Sequence, residues 1–377
     1  MKSSYDILGN HIRLVDYRNR DLVSDKVLGI NIDKYFMPSV ANVIGTDLSK
    51  YKLISKGFFA CNPMHVGRDE RLPVALYSDD TPAIVSPAYF MFEVIDNTKL
   101  NEEFLMMWFR RPEFDRICWL KTDGSVRGGI TWDDICRIEL PVPPLEKQLK
   151  IVSSYKAITD RIALKQRIND NLAEQLQSYV NKFINDESCP IIGKLKDYSN
   201  MQYGYTETAT NEDTGTKFLR ITDIAQSFID WTNVPYCNIS NDNLIKYQLK
   251  DGDVVVARTG ATVGAAKMIG KHNPNSVFAS FLVRITPIDD IYKYYFGLII
   301  TSKSFLEYVQ NNAGGSAQPQ ANPPLLGEYE LIIPNRERMN DFNKTVAIFL
   351  NTIESNETEI IKLKEISTTV ITMISSR

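Results

Sequence analysis

Residues 140–184, LPVPPLEKQLKIVSSYKAITDRIALKQRINDNLAEQLQSYVNKFI, constrain this fold more than any other stretch. Pro141, Pro143 and Pro144 impose an extended lead-in, because a residue before proline is pushed out of the α region. No proline or glycine follows until past Ile184. Apolar positions Tyr155, Ile158, Ile162, Leu172, Leu176, Tyr179 and Phe183 recur in alternating steps of three and four, with Lys165 and Asn169 in the two polar places. Such spacing makes a narrow seam for a second helix and not the broad stripe of a globular surface helix. About 40 residues at ~1.5 Å each give a rod of about 60 Å, long for a domain core and suited to a spacer.

The seam occurs twice. Residues 331–374 read LIIPNRERMNDFNKTVAIFLNTIESNETEIIKLKEISTTVITMI. Placing Pro334 on Pro143, a step of 191 residues, sets Leu331 on Leu140, Glu337 on Glu146, Val346 on Tyr155 and Phe349 on Ile158. Ile353 then falls on Ile162, Leu363 on Leu172, Val370 on Tyr179 and Ile374 on Phe183, with Ile360 also on the second seam. Even a polar place is shared, Asn356 opposite Lys165. The match runs upstream, with Gly315-Ser316 on Gly124-Ser125 and Phe305 on Phe114. A half-length repeat of this kind decides the architecture before any local reading. Two separated heptad helices in one chain pair most simply with each other.

The expected fold is therefore α+β: two β-rich modules joined by two long helices in an intramolecular antiparallel coiled coil, with a pseudo-twofold internal repeat. The boundaries fall at 1–140 for the first module, 141–186 for the central helix, 187–332 for the second module and 333–377 for the C-terminal helix. At 377 residues there is length for cores in both modules. Hydrophobic content of 44% and aromatic content of 10% are those of an ordinary globular protein. No apolar run reaches the roughly 18 residues of a membrane helix, and the N-terminus lacks a signal-peptide core. Cys61, Cys118, Cys136, Cys189 and Cys237 are scattered, without CxxC or Cys/His ligand spacing, and only three histidines are present. A zinc site is not expected, and a reducing cytoplasmic compartment is. The net charge of −3 argues against a surface that binds nucleic acid everywhere but leaves room for a local basic cleft.

In the first module, short apolar runs at 26–30, 51–54, 57–60, 72–76 and 88–94 have strand lengths. Residues 101–111 read as one helix ended by Pro112. Residues 121–129, KTDGSVRGG, form a polar, cationic, Gly-rich loop of the kind that approaches a polyanion. The second module repeats the plan: a strand at 217–224, a turn at Asp251-Gly252 followed by a buried strand, a strand at 276–286, a helix at 291–310 and a loop at 311–322.

Three strings point to chemistry without carrying it. Asn322-Pro323-Pro324-Leu325 is like the NPP-aromatic motif that holds a flipped adenine in N6-methyltransferases, but a polar loop precedes it and leucine stands in the aromatic place. Residues 260–264, GATVG, lack the GK[ST] ending of a phosphate loop. There is no GxSxG elbow, and His11, His65 and His272 lie in unrelated contexts. No catalytic residues are assigned.

The order of several strings resembles the specificity subunit of type I restriction–modification systems. They are Leu140-Pro141-Val142-Pro143-Pro144-Leu145-Glu146-Lys147-Gln148 with KQRINDNLAEQL at 165–176, then Tyr203-Gly204-Tyr205-Thr206, FLRITDI at 218–224, and Asp251-Gly252-Asp253-Val254 with Arg258-Thr259-Gly260. Asn62-Pro63-Met64 with Val66-Gly67 is similar to the corresponding middle of the first module. The second helix departs from the pattern, opening Pro334-Asn335-Arg336-Glu337-Arg338 without the double proline and glutamine, and the first module has no YGY-type start.

The resemblance implies a non-catalytic subunit in which each module reads one half of a split, asymmetric site in double-stranded DNA. The helices would set the spacer and dock two methylase subunits, directing adenine N6 methylation; restriction subunits would join that complex. S-adenosylmethionine, ATP and Mg²⁺ would belong to the partners, with one copy of this chain per complex. The other reading is a coiled-coil scaffold bearing two protein-binding modules with no DNA role. Candidate DNA contacts are Asn62, His65, Arg68, Arg71, Lys121, Ser125 and Arg127 in the first module. In the second they are Tyr203, Tyr205, Thr206, Arg220, Arg258, Thr259, Thr262, Lys267, Ser316 and Gln318. Arginine suits guanine O6/N7, glutamine suits adenine, and serine or threonine suits either base or phosphate.

Overall fold

The structure, a computed structural model, describes residues 5–40, 45–64, 66–122, 128–186, 191–313 and 320–374. It divides into two compact units, residues 1–162 with 363–377 and residues 163–362.

In the first unit, β1 (Tyr5–Ile7) pairs antiparallel with β10 (Glu139–Pro141), tying the start of the module to the threshold of the long helix. The main sheet has the order β2 (Ile12–Leu14), β9 (Phe90–Val94), β6 (Phe59–Cys61), β7 (Val74–Leu76). A second sheet runs β4 (Phe36–Pro38), β3 (Val27–Ile30), β8 (Ala83–Val85), β5 (Lys52–Ile54), with β3 and β8 parallel. Between the strands lies the short α1 (Val66–Asp69). Three helices follow the sheet: α2 (Glu102–Phe109), α3 (Pro112–Leu120) and α4 (Trp132–Cys136). Pro112 does not simply end a helix: it occupies the first turn of α3, where its missing N–H is no loss. The core gathers Phe59, Phe92, Phe104, Phe109 and Phe114 with Val152 of the long helix α5 (Leu145–Asn185) and Ile374.

The second unit is built on the same order. β11 (Ile191–Lys194) pairs with β18 (Glu330–Ile333), and the main sheet runs β12 (Ser199–Tyr203), β17 (Leu282–Pro287), β14 (Val254–Ala257), β15 (Ala266–Met268). β13 (Lys217–Leu219) and β16 (Ser276–Phe278) form a parallel pair. Its helices are α6 (Leu195–Tyr198), α7 (Ile221–Ile224), α8 (Asn241–Tyr247), α9 (Lys293–Ile300), α10 (Lys303–Asn312), α11 (Pro323–Gly327) and α12 (Arg336–Met373). The step of 191 carries α2 onto α9 and α4 onto α11 residue for residue, and it matches the starts of α3 and α10. Phe114 and Phe305, equivalent by that step, are both buried.

Three expectations change in detail. The strand expected over 217–224 stops at Leu219, because the Asp223 carboxylate accepts from the Arg220 backbone N–H and turns the chain into α7. The strand expected over 276–286 is two strands serving different sheets, divided at Ala279, whose N–H donates to the Leu219 carbonyl. The helix expected over 291–310 breaks between α9 and α10, where Ser302 caps the second.

The two long helices run antiparallel where they meet. In the second unit, Leu176, Val180 and Phe183 share a core with Met339, Phe342 and Val346, and the rings of Phe183 and Phe342 lie 4.5 Å apart. In the first, Tyr155, Val370 and Ile371 pack on the core that holds Val152 and Ile374. Among the seam positions Leu176, Val346 and Ile360 are buried, while Tyr155, Ile158, Ile162, Leu172, Tyr179, Phe349, Ile353, Leu363 and Val370 are half-buried. Val152 and Val180, off the strict spacing, are buried as well. A polar node interrupts the seam. The Lys165 Nζ donates to Asn356 Oδ1 at 2.8 Å and lies 2.7 Å from a Glu359 oxygen. The Asn356 amide donates to Asn169 Oδ1 at 2.7 Å. Asn356 is the repeat counterpart of Lys165, so at this point the seam meets its own copy. Among the described residues, no helix is long and apolar enough to cross a membrane.

Candidate nucleic-acid interface

In the second unit the edge of interest lies where β14 ends. β12 delivers Tyr203 there, in register with Val283 of β17. Arg258 follows β14 directly; its N–H donates to the Phe281 carbonyl at 2.9 Å, and its own carbonyl accepts from Ala321 N–H at 2.8 Å. The Arg258 guanidinium sits 4.7 Å from the centre of the Tyr203 ring, and one terminal nitrogen reaches Gln320 Oε1 at 3.5 Å. Its Nε is buried without a hydrogen-bond partner. Tyr203 and Phe281 are exposed, at 41% and 58%. A cation lying on an exposed aromatic ring at a sheet end can take a planar, electron-rich partner by stacking and N–H donation.

The string YGYT divides its duties. Tyr203 faces outward, whereas Tyr205 is half-buried against Tyr247 at 5.4 Å. Gly204 lies between them because a Cβ there would fall 2.2 Å from the Ala279 carbonyl oxygen. Thr206 is exposed, and Thr259 and Thr262 are half-buried in the turn after β14, Thr259 bridging to Gln320. Gly252 holds a positive φ of 84° in the turn before β14. Asp253 is buried, accepting from Thr286 Oγ1 at 2.6 Å and Lys250 N–H at 2.8 Å. Burial pushes its carboxyl up.

Two of the candidate cations are otherwise engaged. Arg220 is chelated by Asp223, with Nε at 3.1 Å and a terminal nitrogen at 2.9 Å. Lys267 points away from the Arg258 edge. Its Nζ donates to the Ser227 carbonyl at 2.6 Å, and it lines a cavity of about 450 Å³ with His272, Glu354 and Glu357. Burial lowers the Lys267 amine and raises Glu357 to about 7, with Lys267 opposing the rise and Glu354 adding to it. Glu354 accepts from His272 N–H at 2.9 Å.

In the first unit the equivalent edge is differently furnished. Pro63 takes the place of Arg258, four residues past Phe59 as Arg258 is past Val254, and Asp16, two residues past the Leu14 that faces Phe92 as Tyr203 is past the Met201 that faces Ile285, takes that of Tyr203. The Pro63 carbonyl accepts from Ile130 N–H at 3.1 Å, as that of Arg258 does from Ala321, and Ile130 and Ala321 are one repeat step apart. Asn62 Oδ1 accepts from Met64 N–H at 3.1 Å. Arg68 pairs with Asp69 at 2.6 Å and Arg71 with Asp33 at 3.3 Å, both exposed. Lys121 is exposed at the end of α3. His65, Ser125, Arg127, Ser316 and Gln318 lie outside the described residues.

The strings that hinted at catalysis have structural work. Asn322 caps α11, accepting from Leu325 N–H at 3.0 Å, and its repeat counterpart Thr131 caps α4 through Asp134 N–H at 3.1 Å. Gly260 and Gly264 supply positive φ for the turn after β14. Burial raises the Cys61 thiol to about 12 and the Cys237 thiol to about 11, which leaves neither a ready nucleophile at neutral pH. Among the described residues no group of three or more His, Cys, Asp or Glu could hold a metal ion. Phe281 and Gln320 were not singled out in the sequence. Gln320 was within reach, two residues past Gln318 in the same polar loop; Phe281 gave no signal inside an apolar run.

Comparison with known proteins adds three findings. The family model for the type I restriction modification DNA specificity domain matches residues 74–174 and 189–368. The specificity subunit of the type I restriction enzyme MjaVIII of Methanocaldococcus jannaschii is 24% identical over 253 residues, 59% of this chain and 57% of that protein. The match thus spans little more than half of that relative's length. The crystal structure of a type I restriction–modification system S subunit from M. genitalium superposes with a TM-score of 0.58 at 12% identity, over 99% of this chain and 96% of that one. At such identity the likeness is one of fold.

Proposed function

The chain belongs to the family of type I restriction–modification DNA specificity domains, and from that premise we propose that it reads a split, asymmetric site in double-stranded DNA. Each β-rich module takes one half-site, and the helix pair holds the modules at a fixed separation. What carries this reading is the repetition itself: one frame of sheet, three helices and long helix, used twice, with the helices at a step of 191 residues. Two readers on a rigid spacer suit half-sites about one or more helical turns apart. The contacting residues would come from the edge at Tyr203, Thr206, Arg258 and Thr259, from the exposed Arg68, Arg71 and Lys121, and from the loops around 121–129 and 314–319. The chain does no chemistry. Two methylase subunits dock on the helices and modules and bring S-adenosylmethionine, and restriction subunits bring ATP and Mg²⁺. The complex acts in the cytoplasm with one copy of this chain. A net charge of −3 accords with partners that supply part of the phosphate contacts.

Reconstitution with the methylase subunits, followed by mapping of methylated adenines, tests the reading. A bipartite motif with a fixed gap is the expected product. Absence of sequence-selective methylation by an assembled complex would leave a coiled-coil scaffold with protein-binding modules. Inserting four residues between 162 and 172, and four at the matching point of the other helix, should add about 6 Å of rod. The spacer should lengthen by roughly two base pairs with both half-sites unchanged; an altered half-site contradicts the ruler.

A further inference from the structure

The carbonyl contact that fixes Arg258 is present in both units, but the side chain is not. At the end of β14, Arg258 has its N–H on Phe281 and its carbonyl under Ala321; at the end of β6 the same carbonyl contact is made by Pro63 with Ile130. Tyr203 beside it becomes Asp16. Exchange of these side chains therefore leaves the backbone hydrogen bond intact. A duplicated protein whose halves must tell different sequences apart needs such positions: fixed in space, free in identity.

Arg258 is also prepared in a way Arg220 and Lys267 are not. Arg220 is chelated by Asp223 and Lys267 is turned toward Ser227. Among the described residues Arg258 has no carboxylate in a hydrogen bond. The Tyr203 ring braces its guanidinium from 4.7 Å, Gln320 holds one terminal nitrogen at 3.5 Å, and Nε is buried without a partner among the described residues. A flat fork with free N–H groups, oriented by stacking, matches the O6/N7 edge of guanine in the major groove and no other base edge as well.

We propose that Arg258, braced by Tyr203, is the residue of the second module that specifies a guanine in its half-site; this rests on the reading of the chain as a DNA specificity subunit. The test uses the full chain assembled with its methylase subunits, and single-molecule sequencing of methylated adenines in DNA exposed to it. With Arg258→Ala, one guanine of one half-site should become degenerate, with discrimination there falling roughly 5- to 150-fold, while the other half-site and the spacer stay the same. Arg258→Lys, which keeps charge and stem, should relax the same position to a smaller degree. Tyr203→Leu, which removes the ring, should weaken discrimination at that guanine and at no other base.

An unchanged motif in an assembled Arg258→Ala complex overturns the proposal. So does a uniform loss of methylation with every base still specified and a shallower salt dependence, the mark of a phosphate contact. If Arg258→Ala does not assemble, Arg258→Lys decides by the same two outcomes. Failure of the wild-type complex to methylate any bipartite motif would instead sink the underlying reading, and is seen before any variant is made.

Discussion

The two β-rich units share a skeleton and differ at its working edge. Sheet order recurs, and the three helices after the sheet, the caps at Thr131 and Asn322 and the buried Phe114 and Phe305 recur at one constant step. At the end of the central strand the recurrence stops, with Arg258 and Tyr203 in one unit against Pro63 and Asp16 in the other. Behind the sheet they differ too: Lys267 of β15 faces Glu357 of α12, whereas their counterparts are the buried Ala75 and the exposed Gln166. Packing tolerates few solutions, so a duplicated core stays alike. Surface positions on a fixed frame carry no such restraint, and there the halves diverge.

The comparison can be broken most severely in the cores. Phe114→Ala and Phe305→Ala should each cost about 3–5 kcal/mol, and by nearly equal amounts. Hydrogen exchange should show the loss confined to the unit that carries the change. Markedly unequal costs would mean that the repeat is one of shape and not of energetics. Next in size is the polar node. Asn356→Leu leaves Lys165 and Asn169 short of a partner and should cost about 1–3 kcal/mol. By removing the polar seam position it should also loosen register, visible as a broadened range of methylated spacer lengths. A single sharp spacer in the variant would show that apolar packing alone sets the register.

The asymmetric contact behind the second sheet gives a pH signature. The folded carboxyl of Glu357 is raised to about 7 from an ordinary value of 4.5, so the folded state binds its proton more tightly than the unfolded state. Its contribution is fully present below pH ~4.5 and is lost as pH rises through ~7. Glu357→Gln should therefore flatten the stability profile, the variant gaining about 2–3 kcal/mol over the parent between pH 5 and 8. The control Gln166→Ala should leave that profile alone. A Tm difference between Glu357→Gln and parent that does not change with pH would refute the assignment. The smallest effect is expected at the helix caps. Thr131→Ala and Asn322→Ala should each cost about 1 kcal/mol, read in urea midpoints. Loss of methylation by an Asn322→Ala complex that still assembles and binds DNA would return the NPP string to catalysis.

Much of the fold was legible without coordinates. The repeat, the heptad seam, the strands at 27–30, 59–61 and 90–94, the cap at Asn101 and the turn at Gly252 are encoded by periodicity and by residues with narrow backbone preferences. The breaks were not. Pro112 and Ser302 open helices where a run of apolar residues looks continuous, and the chain at 279 changes sheets because its N–H is claimed by Leu219, sixty residues away. The candidate interface divides along the same line. That Arg220 is spent on Asp223 is a matter of three residues. That Arg258 lies on Tyr203 while Lys267, nine residues later, turns to the opposite side is not local at all.

The sequence by itself determined the plan: two modules, two seams, one step of 191 residues, because covalent order and hydrophobic spacing fix which residues can share a helix face or a strand. Only the tertiary structure decided which cation is left with an open donor. Hydrogen bonds and stacking are settled by distances of a few ångströms between residues that the chain holds far apart in sequence, and no spacing along the chain reports them.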